Sequence, residues 1–285
     1  MPHAILASLT GLGTDHAVME TAVAAARIDG GHVNCLHARV DAVQTAALIE
    51  MTFPQHRHEQ NLLRQIGEEE AMRASRARAA FEAAATQHSL PQRDRPGGDG
   101  PVSISWQETR AFFNETVEEA RFYDLVVMAR EMPAERIKAV LMQSGRPLLL
   151  APPLAAPVLG KRIAIAWKKG PEAARAVTAA SSLLARAECV FVLTLSKNAA
   201  GDDRDRRSAE RLAASLRWRG IRTEVQIDYT APVPEGRVLE VMAGANDCDL
   251  LVMGAYGHSR LREYVLGGVT ESLLTRCDIP VLMFR

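Results

Sequence analysis

One segment occurs twice in this chain, as Asp124-Leu-Val-Val-Met-Ala129 and again as Asp249-Leu-Leu-Val-Met-Gly254. Its surroundings repeat as well. Each copy follows a helical pattern rich in Glu, Ala and Val, and each half closes on a short apolar run after a proline, Pro147-Leu-Leu-Leu and Pro280-Val-Leu-Met. The openings match too: Ile5-Leu-Ala-Ser-Leu and Ile163-Ala-Ile-Ala-Trp each lead into a helical pattern. Between opening and close lie Val33-Asn-Cys-Leu-His and Val190-Phe-Val-Leu-Thr, then Ser103-Ile-Ser-Trp and Thr223-Glu-Val-Gln-Ile, separated by helical stretches. The pattern is β-α-β-α-β-α-β-α-β, twice. Continuous apolar strands alternating with amphipathic helices call for parallel sheets covered on both faces. The fold expected is therefore α/β, two tandem doubly wound, Rossmann-like units, each with a five-stranded parallel sheet. In such sheets ligands sit beyond the carboxyl ends of the strands, where the strand order reverses.

The proline-rich stretch Ala151-Pro-Pro-Leu-Ala-Ala-Pro157 favours an extended spacer, which divides the chain into residues 1–154 and 155–285. The halves differ in two places. From the Asp of the repeated segment to the closing Pro is 147 − 124 = 23 residues in the first half and 280 − 249 = 31 in the second. From the opening Ile to the same Asp is 124 − 5 = 119 residues against 249 − 163 = 86. The first half thus lacks eight residues after its Asp segment, and its surplus falls in residues 42–100, including a long charged helix over 59–88.

The eight extra residues of the second half fall in a glycine-bearing segment. Gly254-Ala-Tyr-Gly257 follows an apolar strand, and Gly267-Gly268-Val269-Thr270 stands where the next helix should begin. Glycines let a backbone approach an anion closely, and the first N–H groups of a helix point at it with the positive end of the helix dipole behind them. In the first half the corresponding stretch, starting at Arg130, has no glycine before Gly145.

The spacing G-x2-G-x9-G between a strand ending Val-Met-Gly and a helix leading to Pro280 resembles the nucleotide loop of the universal stress protein family. The whole chain resembles a tandem member of that family, with a degenerate first unit and a second that keeps most of the motif. The resemblance implies that Gly254, Gly257, Gly267 and Gly268, with the backbone N–H groups of Val269 and Thr270, hold the phosphates and ribose of ATP or another adenine nucleotide, with Mg a possible companion. Met253 matches an apolar residue near the adenine, and Leu195 is the match on the second strand. Two positions depart from the family pattern: Lys168 stands where the family has an Asp, and Gly268 where it has Ser or Thr. Lys168 and Lys169 at the mouth of a phosphate site could attract an anion, or could be solvated loop lysines. Single-unit members pair through their last strands, so a tandem chain resembles that dimer made covalent, with 148–150 and 281–284 meeting as antiparallel edges.

Composition excludes other classes. Lys plus Arg equal Asp plus Glu at 34 each, so net charge asks for neither nucleic acid nor anionic membrane. No apolar run approaches the roughly 20 residues of a membrane span, and the amino terminus carries no basic segment or long apolar region of a secretory signal. A cytoplasmic address is expected. The four cysteines form no C-x2-C pair, and Cys35 and Cys189 lie in strand-like runs as buried free thiols. His56 and His58, two residues apart, do not share a helix face and have no completing ligands, so no metal is expected. Gly11-Leu-Gly-Thr-Asp-His16 fails the dinucleotide fingerprint at His16 and reads as a turn with an N-cap from Thr14 or Asp15. The run Arg204-Asp-Arg-Arg207 is interleaved with acid and has no aromatic platform beside it, which argues for a solvated helix face and against nucleic acid.

No nucleophile and base pair stands out, and Thr270 and Glu271 suit a first helical turn. The expected protein is thus a stress-response nucleotide binder, a non-catalytic sensor whose occupancy alters binding to an unknown protein partner. Higher oligomers are compatible with it. The alternatives are an interaction module of the same fold that binds no nucleotide, and a slow ATP hydrolase.

Overall fold

The structure, a computed structural model, describes residues 4–40, 59–94, 100–111, 115–155, 158–196, 204–229, 234–255, 273 and 277–285. The first half runs β1 (Ala4–Leu9), α1 (Asp15–Asp29), β2 (His32–Val40), α2 (Glu59–Gln87), β3 (Ser103–Ala111), α3 (Glu115–Ala120), β4 (Leu125–Ala129), α4 (Ala134–Gln143) and β5 (Leu148–Ala151). The second runs β6 (Arg162–Ala166), α5 (Pro171–Ala179), α6 (Ser181–Arg186), β7 (Cys189–Ser196), α7 (Arg204–Arg217), β8 (Thr223–Tyr229), α8 (Glu235–Ala245), β9 (Leu250–Gly254) and β10 (Val281–Phe284). The alternation expected from the apolar runs is present throughout the first half and, in the second, as far as β9; the helix expected after Val269 lies outside the described residues. Between β9 and β10 only Leu273, which is helical, and residues 277–280 are described beyond Ala255.

All ten strands join one sheet in the order β3-β2-β1-β4-β5-β10-β9-β6-β7-β8. Pairing within each half is parallel, and the strand order reverses between β1 and β4 and again between β6 and β9. The halves meet through an antiparallel pair that sets Leu150 opposite Val281, Leu149 opposite Leu282 and Leu148 opposite Met283. All six side chains are buried. Because that one joint is antiparallel, the carboxyl edge of the first half lies on the same side of the sheet as the amino edge of the second.

The Asp that opens each repeated segment has a mechanical role. Asp249 accepts the backbone N–H of Gly160 at 2.8 Å, of Lys161 at 2.9 Å and of Arg162 at 3.3 Å. Its own N–H donates to the Arg162 carbonyl at 2.9 Å. In the first half Asp124 accepts the N–H of Ala4 at 3.0 Å and donates its N–H to the Ala4 carbonyl at 2.8 Å. Each Asp thus ties the start of its half's first strand to the start of the fourth, satisfying N–H groups that have no ladder partner there.

Right-handed crossovers put α1 and α2 on one face of the sheet and α3 and α4 on the other. The same rule places α5, α6 and α7 on the face of α1 and α2, and an Arg186–Asp29 ion pair at 3.7 Å links α6 to α1 across the halves. All four cysteines are free and buried, and burial pushes the Cys248 thiol up to about 12. Protonated, shielded thiols are core residues. Among the described residues no cluster of His, Cys, Asp or Glu could hold a metal, and no helix is long and apolar enough to cross a membrane.

Candidate functional site

The reversal point of the second half lies between β6 and β9. Trp167 fixes how the chain leaves β6. Its backbone N–H donates to the Leu193 carbonyl at 2.8 Å, its carbonyl accepts the Thr194 hydroxyl at 3.0 Å, and its indole Nε1 donates to Ser208 Oγ on α7 at 2.9 Å. With the backbone and ring of Trp167 so held, Lys168 and Lys169 are left exposed at the edge of the sheet. Gly170 then adopts an extended conformation and Pro171 begins α5, where its missing N–H costs nothing and its fixed φ suits a first helical turn.

On the neighbouring strand, Gly254 ends β9 against the start of α5. A Cβ there would lie 2.4 Å from the backbone N of Ala173 and 2.6 Å from the carbonyl carbon of Glu172. Only glycine permits that approach of helix to strand. The next residue, Ala255, donates its N–H to the Phe284 carbonyl at 2.9 Å, and Arg175 of α5 donates from Nη1 to the carbonyl of the terminal Arg285 at 3.1 Å. An acid stands at the same place: a Cβ on Gly170 would lie 2.8 Å from Glu172 Oε2, so that carboxylate already lies over the N-terminus of α5.

The structure therefore brings four of the expected site residues to the carboxyl ends of adjacent strands: Lys168 after β6, Leu195 on β7, and Met253 and Gly254 on β9. Met253 is buried and Leu195 half-buried. The other five, Gly257, Gly267, Gly268, Val269 and Thr270, lie outside the described residues, as do Glu271, His56 and His58.

The matching edge of the first half is closed by its own residues. The sheet register aligns Thr10 with Lys168 and Gly11 with Lys169. Asp15 accepts the N–H of Thr10 at 2.9 Å, the N–H of Gly11 at 2.7 Å and the Thr10 hydroxyl at 3.1 Å. This corrects the N-cap expected of Thr14 or Asp15. Thr14 makes no capping bond from its side chain, and Asp15 lies inside the helix with its carboxylate turned back to the strand. Three donors converge on that one carboxylate, which explains the preference for the turn over the cap. Burial pushes the Asp15 carboxyl above its ordinary range, opposed by the N–H groups of Thr10 and Gly11. Over the same turn runs α2. Gly11 has φ +74°, and a Cβ on it would lie 2.2 Å from the Arg73 carbonyl oxygen.

The β4–α4 connection is equally abbreviated. Residues 130–133 pass directly from strand to helix, and the Arg130 N–H donates to the Ala151 carbonyl at 3.0 Å, the counterpart of Ala255 with Phe284. Two contacts beyond the sequence expectations hold these edges in place: the Trp167–Ser208 bond and the Asp249 lock. The second was visible as a repeated Asp, though its partners 87 to 89 residues away were not.

Residues 160–285 match the Universal stress protein family. A universal stress protein from Synechocystis sp. is 55% identical over 40 residues, and that match spans 14% of this chain and 14% of the relative's length. Among solved structures, a universal stress protein from Archaeoglobus fulgidus superposes with a TM-score of 0.66 at 14% identity, covering 99% of this chain and 98% of that one. A putative universal stress protein from Pseudomonas aeruginosa gives 0.61 at 14% identity, covering 99% and 93%. Those two likenesses concern the fold, over the whole length of the chain. Residues 160–285 belong to the universal stress protein family, and the half that precedes them is built on the same α/β plan.

Proposed function

We propose that the second half binds an adenine nucleotide, ATP foremost and with Mg a possible companion, and that the chain acts as a cytoplasmic stress-response sensor without turnover. The observation that carries this reading is the contrast between the two reversal points. In the first half the turn after β1 is filled by Asp15 and covered by the Arg73 backbone. In the second, the corresponding Lys168 and Lys169 are exposed beside Gly254. An edge with open cations beside a strand end is suited to an anionic ligand. Gly257, Gly267, Gly268 and the N–H groups of Val269 and Thr270 would hold the phosphates, with Met253 and Leu195 against the base. Occupancy would then alter binding to a protein partner.

Two observations favour a second reading, a module of the same fold that binds no nucleotide. Gly254 is required by the packing of α5 whether or not a ligand is present, and the Glu172 carboxylate stands where an anion would approach that helix. Calorimetric titration of Mg·ATP into the purified chain, with mass spectrometry of small molecules released on denaturation, separates the readings. Saturable heat that disappears in Gly257→Arg supports the sensor. A silent titration and no recovered nucleotide would leave the interaction module. Phosphate release that scales with protein would instead point to a slow hydrolase.

A further inference from the structure

The seal at the carboxyl edge of the first half, made by Asp15 and the Arg73 backbone, lies on the sheet face of α1 and α2. The opposite face of that edge holds a charge with no partner. Arg130 follows β4, and its N–H still bonds the Ala151 carbonyl, so the alternation of the strand carries on to it. The register sets Ala129 beside Ala151 as it sets Gly254 beside Phe284, and a Cβ on Gly254 would face α5, on the side of α1. Met128 and Arg130 therefore point the other way, to the face of α3 and α4.

The Arg130 side chain is nine-tenths buried, with 8% of the residue exposed. Its Nη1 is shut off from solvent without a hydrogen-bond partner, and among the described residues the guanidinium makes no ion pair. Arginine cannot shed its proton to escape such a place. A buried charge is costly unless a counter-charge accompanies it.

More donors converge on the same edge. Residues 129–132 form a tight turn, with the Met132 N–H donating to the Ala129 carbonyl at 3.2 Å, and Pro133 stands at the N-cap of α4 with no side-chain capping bond. The first intrahelical donor is Arg136, which bonds the Pro133 carbonyl at 2.9 Å. The N–H groups of Ala134 and Glu135 come before it, at the positive end of a ten-residue helix. Because α4 joins β4 to the adjacent β5, it crosses above that pair with this end over the carboxyl edge. The charge of Arg130 is felt at the Cys277 thiol, just before the strand that pairs with β5. The guanidinium thus reaches across the end of β5, under the first turn of α4.

We propose that Arg130 and the N-terminus of α4 form an anion site for a single phosphate group, in the half that lacks the glycine-bearing segment. A carboxylate would spend both oxygens on the guanidinium fork, whereas a phosphate has oxygens for the fork and for the Ala134 and Glu135 N–H groups together. The acids Glu131 and Glu135 are exposed beside it and repel the further charges of a polyphosphate. The site therefore suits free phosphate or the end of a phosphomonoester, not a nucleoside triphosphate. It uses neither Gly257 nor Lys168, so it stands or falls apart from the nucleotide reading of the second half.

The full chain is titrated at constant ionic strength with inorganic phosphate and, separately, with glycerol 3-phosphate, while NMR follows the backbone amides. The Ala134 and Glu135 amides should shift saturably, with a dissociation constant below about 1 mM. Arg130→Met should weaken that binding at least about tenfold, and Gly257→Arg should leave it unchanged. A response to both probes means that any phosphate group is accepted, and a response to one alone identifies the source. In phosphate-free buffer Arg130→Met should resist urea at least as well as the parent, having lost an unpaired buried charge, and phosphate should stabilise the parent alone. No saturable shift at those amides with either probe overturns the proposal, as does an affinity that survives Arg130→Met. A variant less stable than a parent that phosphate does not stabilise would assign Arg130 to packing against the Cys277 segment, and would overturn it too.

Discussion

Gly254 and Ala173 meet where the last described residues of β9 touch the first turn of α5, with only 2.4 Å between a would-be Cβ and the Ala173 nitrogen. Backbone on backbone leaves no flexible side chain to yield. Gly254→Ala should therefore destabilise the chain by roughly 1–3 kcal/mol with no ligand present, as overpacking does. At the aligned position in the first half, Ala129 already carries a Cβ, and Ala129→Gly should cost only about 0.5–1 kcal/mol. Urea unfolding of the two variants measures the difference. Equal effects would mean that the close approach of α5 is not what requires glycine.

Asp249 serves three N–H groups at the start of β6. Asp249→Ala leaves them without their acceptor in a part-buried place, and the expected loss is roughly 2–4 kcal/mol. Hydrogen exchange should quicken first at Gly160, Lys161 and Arg162. An unchanged exchange pattern at those amides would refute the lock.

Gly11→Ala tests whether α2 is seated on the β1–α1 turn. The substitution meets a left-handed backbone and the Arg73 carbonyl at once, so a loss of roughly 2–4 kcal/mol is expected. Proteolysis within α2 should also accelerate. A variant as stable as the parent would show that α2 does not rest there.

Asp15 gives a dependence on pH. Burial raises its carboxyl pKa in the folded chain, so the fold holds that proton more tightly than the unfolded chain, where the value is about 4. The stabilising contribution is full below the unfolded value and is lost as pH rises through the raised folded value. Asp15→Asn removes this term, and the stability difference between parent and variant should change over that window and stay level above it. Urea midpoints from acid to neutral pH follow it, and a constant difference across the range would contradict the assignment.

Lys168→Glu bears on the proposed ligand. Reversing one exposed charge changes the attraction to a polyphosphate by about 1–2 kcal/mol at low salt, a five- to thirtyfold loss of ATP affinity. Calorimetry at two ionic strengths measures it, and the titration of the parent should end at one nucleotide per chain. An affinity untouched by the reversal would remove Lys168 from the site.

The repeat and the strand alternation are legible because they rest on periodicity and on buried apolar runs, which a chain writes locally, whereas the β5–β10 contact is what the family resemblance implies. Asp15 and Gly254 were legible as residues and misread in part as to role. Asp15 reads as a cap because a short polar side chain before a helix usually is one, whereas its partners are the part-buried N–H of Thr10 and the buried N–H of Gly11, just past β1. Gly254 suggests phosphate alone, since nothing in a sequence states that α5 will press against β9.

A symmetric pair of identical subunits must repeat each substitution in both members. A helix laid over one reversal point would be laid over the other, and a carboxylate that seals one turn would seal its twin. By joining the two units through β5 and β10 in a single chain, this protein keeps the geometry of the pair and escapes that constraint. One half could become a permanently filled buttress carrying Asp15 and the long α2, while the other kept Lys168 and Lys169 in the open. The asymmetry gives the molecule a direction, with the exposed Lys168 and Lys169 at one edge and the turn filled by Asp15 at the opposite edge.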